Sequence, residues 1–409
     1  MSSPIADTAD RGPAFVKGVA ASSVSAEGVA PAADWSVWER TGEAPRSNDG
    51  AGLATDFRDD VQQFAALGCD AWRVTIEWAR IEPEPGRVDN DALDRYRDIL
   101  RAARDAGLAN WLTLQSTSLP GWYLDDEGGH RDETARGRFW HRHVDRIAEE
   151  LDEFADGFVP IDDPVGWAVR GYGLGSRPPG QRDRVVLRDA VEGAVFAVHD
   201  AVRLLSTGRQ PVMTTWRADP IHAIADDDGR IALEAAQAAR GWDELFWCWL
   251  RGHANGIVEL GGRAPIEVPL FVSAVDHVGL VHDNPVGVGP DGGFQPWPSS
   301  ARRSGSGLAP EPDELAEAIH RTHESLPDHS LMVAGHGVNT DDEAWRDHLL
   351  ARALEHVRGA HHDVGLAGYF HDSGIDGYDW KLGFARPRGL LGRDRTRKPA
   401  AETFAVFGV

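Results

Sequence analysis

The stretch FRDDVQQFAALGCDAWRVTIEWARIEPEPGRVDNDALDRYRDIL, residues 57–100, indicates a helix, a strand and a second helix in succession. Apolar side chains recur at helical spacing in its two outer parts: Phe57, Val61 and Phe64, then Leu93, Tyr96, Ile99 and, just beyond the stretch, Ala103. Thr55 is the predicted N-cap of the first helix, and Gly68 and Gly107 are predicted to end the two helices. The apolar run Ala71–Ile76 between them predicts a buried strand.

The same alternation of strand and helix recurs along the whole chain. Eight short apolar runs are strand candidates: Phe15–Ala20, Ala71–Ile76, Trp111–Gln115, Phe158–Asp162, Val212–Trp216, Val275–Val281, Leu331–Gly335 and Gly365–Phe370. Strands that alternate with helices predict a parallel sheet covered by helices, and eight such units predict an α/β fold closed into a single (β/α)8 TIM barrel. A doubly wound open sheet is the alternative architecture.

One barrel domain is predicted over residues 13–409, after a disordered tail at residues 1–12. A segment rich in Gly, Pro and Ser at about residues 284–308 follows the sixth strand candidate. Loops that follow barrel strands lie on the face where barrel sites form, so this segment is predicted to be a flap over the site. A disordered insertion without a role is an equal alternative.

Composition and charge exclude several classes of partner. The chain has 65 Asp and Glu against 42 Lys and Arg, and its formal charge is −23. Such a charge repels nucleic acid and anionic membranes, so neither is an expected partner. The first residues lack the basic start and apolar core of a signal peptide, and no apolar run reaches the ~18 residues of a membrane span, so a soluble cytoplasmic protein is expected. Cys69 and Cys248 are predicted to be buried free thiols.

The fourth strand candidate ends in two adjacent carboxylates, in the sequence FVPIDDPVGW of residues 158–167. An Asp-Asp-Pro triplet commonly forms a turn or a helix cap. In a barrel, however, residues at the C-terminal ends of the strands line the pocket, and this position favours a functional role for Asp162 and Asp163.

Nearly the whole chain resembles glycoside hydrolase family 1, the β-glucosidase family. The stretch at residues 57–100 is the most specific part of the resemblance. Further similarity lies in FVKGVAASSVSAEG, LTLQSTSLPGWYLDDEGG, IDDPVGWAVRGYGLGSRPPG, GVNTDDEAWRDHLLARALEHV and GLAGYFHDSGIDGYDWKLGF. The resemblance implies a barrel that cleaves β-glycosides with retention, in which one glutamate is the acid/base and a second is the nucleophile.

At the positions that the resemblance assigns to the two glutamates, both are missing. Asp163 stands at the acid/base position, and Gly335, which cannot attack a substrate, stands at the nucleophile position. The sugar-binding positions of the family correspond to Arg73, Ser116, Asp162, Asp283, Asp372, Asp379 and Trp380, together with Ser25 and Thr117. Arg73 is the expected main cation of this group. Several carboxylates in one cavity predict a raised pKa for at least one of them, or a neutralising cation.

Three functions follow from this altered pocket. The first is a binding or regulatory protein that keeps the barrel and has lost turnover on a carbohydrate or glycoside. The second is an active atypical glycosidase in which Asp163 acts with a relocated carboxylate, Asp283 or Asp372. The third is an aspartate-rich site for Ca²⁺ or Mg²⁺.

Three histidines also lie at strand ends: His282, His336 and His371. Side-chain alternation along a strand turns His282 and His371 toward the helices if the aspartates that follow them face the pocket, which disfavours a zinc site. No cofactor is predicted, the expected ligand is a small carbohydrate or glycoside, and the sequence predicts no oligomeric state.

Overall fold

The computed structural model describes residues 15–226, 228–298 and 300–409, so the predicted tail at residues 1–12 lies outside the described part. Eight parallel strands form one sheet: β1 (Val16–Ala21), β2 (Ala71–Thr75), β3 (Ala109–Thr113), β4 (Gly157–Val159), β5 (Met213–Arg217), β6 (His277–His282), β7 (Ser330–His336) and β8 (Gly368–Asp372). Their order is β4-β3-β2-β1-β8-β7-β6-β5, and a parallel bridge between Phe158 and Val212 joins the two ends. The predicted barrel is confirmed, the open sheet is wrong, and every predicted strand overlaps an observed one.

One principal helix follows each strand and covers the outside of the barrel. These helices are α1 (Leu53–Ala66), α2 (Asn90–Asp105), α3 (His141–Leu151), α4 (Arg184–Leu205), α5 (Leu233–Asn255), α6 (Pro312–Ser325), α7 (Glu343–Val364) and α8 (Pro399–Ala405). Their apolar stripes are buried against the sheet. On α2, for example, Leu93, Tyr96, Ile99 and Ala103 are all buried, as their spacing predicts.

The predicted start of α1 at Thr55 is wrong. The helix begins at Leu53, because Gly52 takes a left-handed conformation with φ of 85° at the N-cap. Thr55 instead lies inside the first turn, where its hydroxyl donates to the carbonyl of Gly52 at 3.1 Å. The predicted ends are confirmed, since Gly68 and Gly107 follow α1 and α2 with φ values of 72° and 87°.

Shorter elements fill the loops around the barrel. The short helices are Ser23–Glu27, Trp35–Thr41, Trp78–Ile81, Trp122–Asp126, Gly129–Arg131, Glu133–Ala135, Arg136–Trp140, Asp152–Phe154, Pro164–Ala168, Val169–Gly173 and Pro269–Ser273. Two small sheets consist of Ile221–Ala223 with Val286–Val288 and Phe294–Pro296, and of Ile257–Val258 with Ile266–Glu267. In the first of these sheets, Val286–Val288 of the segment after β6 pairs with Ile221–Ala223 of the loop after β5.

Inward side chains fill the barrel interior, so the interior is a packed core. They are Ala20, Ala71, Trp111, Val159, Met213, Val281, Met332, Ala334 and Phe370. The second core lies between the sheet and the helices. Cys69 and Cys248 are buried free thiols, as predicted. Among the described residues, no helix has the length and apolar character that a membrane crossing requires.

Candidate functional site

Two adjoining cavities open at the C-terminal ends of the barrel strands. The inner cavity, of about 80 Å³, is lined by strand-end residues that include Arg73, Ser116, Thr117, Asp162, Asp163, Gly335 and Asp372. The outer cavity, of about 430 Å³, is lined by residues from outside the barrel strands that include Trp35, Trp38, Phe246, Phe294 and Asp379. Both cavities share Arg170, Arg177, Arg217, Asp283, Trp380 and Arg388. Apart from Ser25, the candidate residues of the sequence analysis therefore lie together, with Asp379 reaching only the outer cavity.

Asp163 is held by the backbone around it and by two arginines. Its φ of 50° lies in the left-handed region, and its Oδ1 accepts a 3.0 Å hydrogen bond from the amide of Gly166, which caps the helix Pro164–Ala168. Its Oδ2 accepts from Arg170 Nη1 at 2.8 Å and from Arg217 Nε at 2.6 Å. Burial alone raises the pKa of Asp163, but the charges of Arg217 and Arg170 outweigh burial and leave the pKa below its usual value.

Arg217, the last residue of β5, connects three carboxylates. Besides Asp163, its Nη1 donates to Asp219 Oδ2 at 2.8 Å and to Asp283 Oδ2 at 2.9 Å. Asp219 in turn accepts from the backbone amide of Asp283 at 2.7 Å. The ends of β5 and β6 are thus joined through one guanidinium group, which neutralises the charge gathered there.

Arg388 and Arg73 bind the remaining carboxylates of the inner cavity. Arg388 forms an ion pair with Asp283, and its Nη2 lies 3.4 Å from Asp372 Oδ2. Arg73 Nη1 lies 3.0 Å from Asp162 Oδ2. The expectation that Arg73 is the main cation is therefore wrong, because Arg217 and Arg388 each contact more than one carboxylate and Arg73 contacts one.

The pKa values of Asp283 and Asp372 are shifted in opposite directions. Burial raises the pKa of Asp283, but the charges of Arg388 and Arg217 outweigh burial and lower it well below the usual value. Burial raises the pKa of Asp372, and Asp283 raises it further, while Arg388 and Arg73 offset only part of the effect. The raised carboxyl pKa expected from the clustering is therefore found at Asp372.

Three polar atoms of residues that line the inner cavity lack a hydrogen-bond partner among the described residues. They are Asp162 Oδ1, Ser116 Oγ and Arg73 Nε, all buried. Buried acceptors and hydroxyls are almost always paired with protein or water. These atoms are therefore available to a water molecule or to a hydroxyl group of a ligand.

Gly335 lies on β7, where the register with β6 is irregular between Val333 and Gly335. A Cβ atom at Gly335 would meet Arg73 Nη2 at 3.6 Å and Val281 Cγ1 at 3.8 Å, which are ordinary contact distances. The surroundings therefore do not require a glycine. The nearest downstream acids belong to the start of α7, where Asp342 accepts from the amide of Trp345 at 2.9 Å as the N-cap.

Asp379 and Trp380 follow β8 and line the outer cavity. Asp379 Oδ1 accepts from the backbone amides of Lys381 and Leu382 at 2.9 and 2.8 Å, so it stabilises its own turn. The guanidinium carbon of Arg177 lies 3.7 Å from the ring centroid of Trp380 and covers one face of the ring. Ser25 lines neither cavity, and Ser22 of the same segment lines the inner one.

The three strand-end histidines lie behind the cavity walls. Tyr369 O–H lies 2.9 Å from His336 Nδ1 and 3.3 Å from His371 Nδ1, and His282 Nδ1 lies 3.4 Å from Asp219. Across the described ranges, no three His, Cys, Asp or Glu side chains are placed to hold a metal ion. The carboxylates of the inner cavity are paired with arginines instead.

Sequence reasoning missed most of the basic and aromatic residues of the site. The missed charged residues are Glu43, Arg170, Arg177, Arg217, Asp219, Lys381 and Arg388, and the missed aromatic residues are Trp35, Trp38, Phe246 and Phe294. Arg217 carried a usable signal, since it directly follows the strand candidate Val212–Trp216 at the pocket face. Arg170 and Arg177 both lie in the stretch IDDPVGWAVRGYGLGSRPPG, in which the resemblance assigned roles only to Asp162 and Asp163.

Comparisons with known proteins agree with this architecture. The chain is 23% identical to a bifunctional beta-D-glucosidase/beta-D-fucosidase of Bifidobacterium breve over 436 aligned positions, covering 93% of each chain. It is 28% identical to beta-glucosidase A of Thermotoga maritima over 201 positions, covering 46% of this chain and 44% of that one. The solved beta-glycosidase from Pyrococcus horikoshii has the same fold, with a TM-score of 0.85 at 24% identity, covering 96% of this chain and 93% of that one.

The sequence of residues 12–242 matches the model of Glycosyl hydrolase family 1. This match spans more than half of the 409 residues, and the chain therefore belongs to glycosyl hydrolase family 1.

Proposed function

We propose that this barrel binds a carbohydrate or glycoside and does not carry out the two-carboxylate retaining hydrolysis of its family. The observation that carries the proposal is the state of the two catalytic positions. Gly335 has no nucleophilic group, and Asp163 has its Oδ2 engaged by Arg170 and Arg217 at 2.8 and 2.6 Å.

Asp163 is poorly suited to donate a proton. A general acid works best when its pKa lies near the working pH, so that it is protonated before the reaction. The pKa of Asp163 is instead held below its usual value, so the side chain is a carboxylate at neutral pH. Its ion pairs also compete with any leaving-group oxygen for the same carboxylate oxygen.

The sizes of the two cavities favour binding in the outer one. Pockets for small organic ligands are typically ~300–1,000 Å³. The outer cavity, at about 430 Å³, falls in this range, whereas the inner cavity, at about 80 Å³, is much smaller. Trp38 and Phe294, both partly exposed, give the outer cavity apolar surface, which suits the faces of a sugar ring, and Asn284 and Asn339 offer hydrogen bonds to hydroxyl groups.

An atypical glycosidase is the second candidate, and the shifted pKa values of Asp283 and Asp372 favour it. Two carboxyl groups whose surroundings move their pKa values apart are a common arrangement of an acid and a base. In this candidate Asp372, with its raised pKa, donates the proton, and Asp283 or Asp163 is the ionised partner. The aspartate-rich metal site has weaker support, because arginines already neutralise these carboxylates.

Hydrolysis and binding measured together test the two candidates. Aryl α- and β-glycosides are incubated with the wild-type protein, with Asp372→Asn and Asp163→Asn, and with Asp94→Asn, an exposed α2 control, at several pH values. Common mono- and disaccharides are titrated into the same proteins by calorimetry. We expect no release of the aryl group above buffer, together with measurable binding of at least one sugar.

If Asp372→Asn abolishes release of the aryl group while Asp94→Asn preserves it, the proposal is overturned and the second candidate is established. Release that survives Asp372→Asn but is lost in Asp163→Asn would show that Asp163 works despite its ion pairs. Absence of both release and binding across the whole set of sugars would remove carbohydrate as the ligand.

A further inference from the structure

The outer cavity is more basic than the protein around it. Its lining contains five basic side chains, namely Arg170, Arg177, Arg217, Lys381 and Arg388, and four acidic ones, namely Glu43, Asp219, Asp283 and Asp379. The chain as a whole carries a formal charge of −23. The cavity lining therefore has a slight excess of positive charge, whereas the chain as a whole is strongly negative.

Arg177 differs from the other arginines of the cavity because it lacks a carboxylate partner. Arg170, Arg217 and Arg388 each have a carboxylate oxygen within the 4.0 Å limit for an ion pair. Among residues 15–226, 228–298 and 300–409, no carboxylate oxygen lies within that limit of the Arg177 guanidinium.

Trp380 fixes the orientation of this guanidinium group. The guanidinium carbon lies over the indole, 3.7 Å from the ring centroid. Stacking on an aromatic face leaves the edge of the guanidinium, which carries its N–H donors, free for other partners. A side chain held in this way loses little conformational entropy when it binds a planar or tetrahedral anion.

The electrostatic surroundings of Arg177 also favour the binding of a negatively charged group. Burial lowers the pKa of Arg177, and the charges of Arg170 and Arg217 lower it further, while the more distant Asp163 and Asp379 oppose them only in part. An anion beside these arginines would relieve that repulsion. Lys381 lines the same cavity, is exposed, and has no carboxylate oxygen within 4.0 Å in the part of the chain that the structure describes.

We propose that the carbohydrate ligand of this barrel carries an oxyanion, a carboxylate, phosphate or sulfate group, and that Arg177 and Lys381 bind it in the outer cavity. The inference rests on the proposed function and narrows its ligand class. The sugar part of such a ligand would pack on the aromatic wall, and its charged group would form paired hydrogen bonds with the guanidinium edge of Arg177.

Calorimetric titration with four matched probes tests this proposal: glucose, glucuronate, glucose 6-phosphate and inorganic phosphate. We expect at least one of the two anionic sugars to bind about tenfold or more tightly than glucose, since a hydrogen bond to a charged group contributes ~1.5–3 kcal/mol. Glucuronate and glucose 6-phosphate separate a carboxylate ligand from a phosphate ligand. Arg177→Gln is expected to remove the preference, Arg177→Lys to keep part of it, and Arg101→Gln, at an exposed α2 arginine paired with Asp98, to leave it unchanged.

Equal binding of glucose and the two anionic sugars would overturn the inference while leaving the proposed function intact. Binding of inorganic phosphate as tightly as glucose 6-phosphate would also overturn it, because the sugar would then contribute nothing. Absence of binding by all four probes would count against the proposed function itself. The folding of each variant is checked by its thermal midpoint, and Lys381→Gln, at an exposed position, provides a second variant that is expected to weaken anionic binding severalfold.

Discussion

At the scale of single residues, Asp163 combines three structural tasks in one side chain. It adopts a left-handed backbone conformation, caps the helix that follows, and binds two arginines. Asn tolerates the left-handed conformation about as well as Asp and can still cap the helix, but it carries no charge. Asp163→Asn therefore isolates the ion pairs from the other two tasks.

We expect Asp163→Asn to lower the free energy of unfolding by about 2–3 kcal/mol in urea titrations at neutral pH, somewhat less than the usual cost of breaking a buried pair. The cost is reduced because Arg217 keeps Asp219 and Asp283 as partners. Asp163→Ala also loses the cap and the tolerance for positive φ, so it is expected to cost about 1 kcal/mol more. Equal stability of the wild type and Asp163→Asn would show that the pairs contribute nothing net.

The pH dependence of this difference follows from the direction of the pKa shift. The pKa of Asp163 is lower in the folded protein than the ~3.9 of an unfolded aspartate. Its stabilising contribution is therefore fully present above the unfolded pKa and is lost as the pH falls through the folded pKa. The gap between wild type and Asp163→Asn should narrow in acid, and a gap that widens there would contradict the assigned charge state.

The position of Asp163 was predictable from the sequence, but its partners were not. A rule about strand ends suffices to assign Asp162 and Asp163 to the pocket face. Arg217 lies 54 positions from Asp163 in the chain, and Arg388 lies 105 positions from Asp283. Such pairs depend on side-chain reach across the closed barrel, which periodicity and motif spacing do not report. For the same reason, the sequence analysis assigned to Arg73 the role of main cation of the site, which Arg217 and Arg388 have in the structure.

At the scale of whole elements, glycine has opposite consequences on a barrel strand and on an outer helix. A Cβ at Gly18 on β1 would lie 2.6 Å from the carbonyl oxygen of Ala71 and 2.7 Å from the ring of Phe370, both fixed within the barrel. A Cβ at Gly359, inside α7, would meet nothing within 4 Å. Neither glycine has the positive φ that would strain another residue.

Gly18→Ala is expected to destabilise the protein by about 1–3 kcal/mol, the usual cost of overpacking a core. Gly359→Ala, its matched control, is expected to stabilise it by about 0.5–1 kcal/mol, because alanine loses less conformational entropy in a helix. Thermal and urea unfolding of the two variants measure both effects. Similar changes of the same sign in the free energy of unfolding of both variants would mean that the atoms around Gly18 adjust more readily than the contact distances indicate.

Element types were more predictable than element boundaries and loop contents. The apolar runs of the eight strands are short, frequent and bounded by polar residues, so they identified every barrel strand. The start of α1 was misplaced because a left-handed glycine N-cap competes with a threonine three residues further on. Trp35, Trp38 and Phe294 come from loops and short elements, whose positions depend on tertiary packing, so their place in the outer cavity could not be predicted.

At the scale of the whole molecule, the formal charge of −23 implies strong self-repulsion in the compact state. Salt screens this repulsion, and it also weakens exposed ion pairs such as Arg87–Glu84 and Arg101–Asp98. Exposed pairs contribute only ~0–1 kcal/mol each, and acidic residues outnumber basic ones by 65 to 42, so relief of repulsion should dominate.

We therefore expect the urea midpoint to rise as NaCl increases from about 0.01 M to about 1 M, over which the Debye length falls from ~30 Å to ~3 Å. The gain in the free energy of unfolding should be on the order of 1 kcal/mol or more, the value of a few surface charge pairs. KCl at equal concentration should give the same gain, because screening depends on ionic strength. The difference between wild type and Asp163→Asn should change little, since those pairs are buried and poorly screened. A midpoint that falls with salt would instead show that surface ion pairs outweigh the net charge, and the stability of this acidic barrel would then depend on how its charges are arranged more than on their sum.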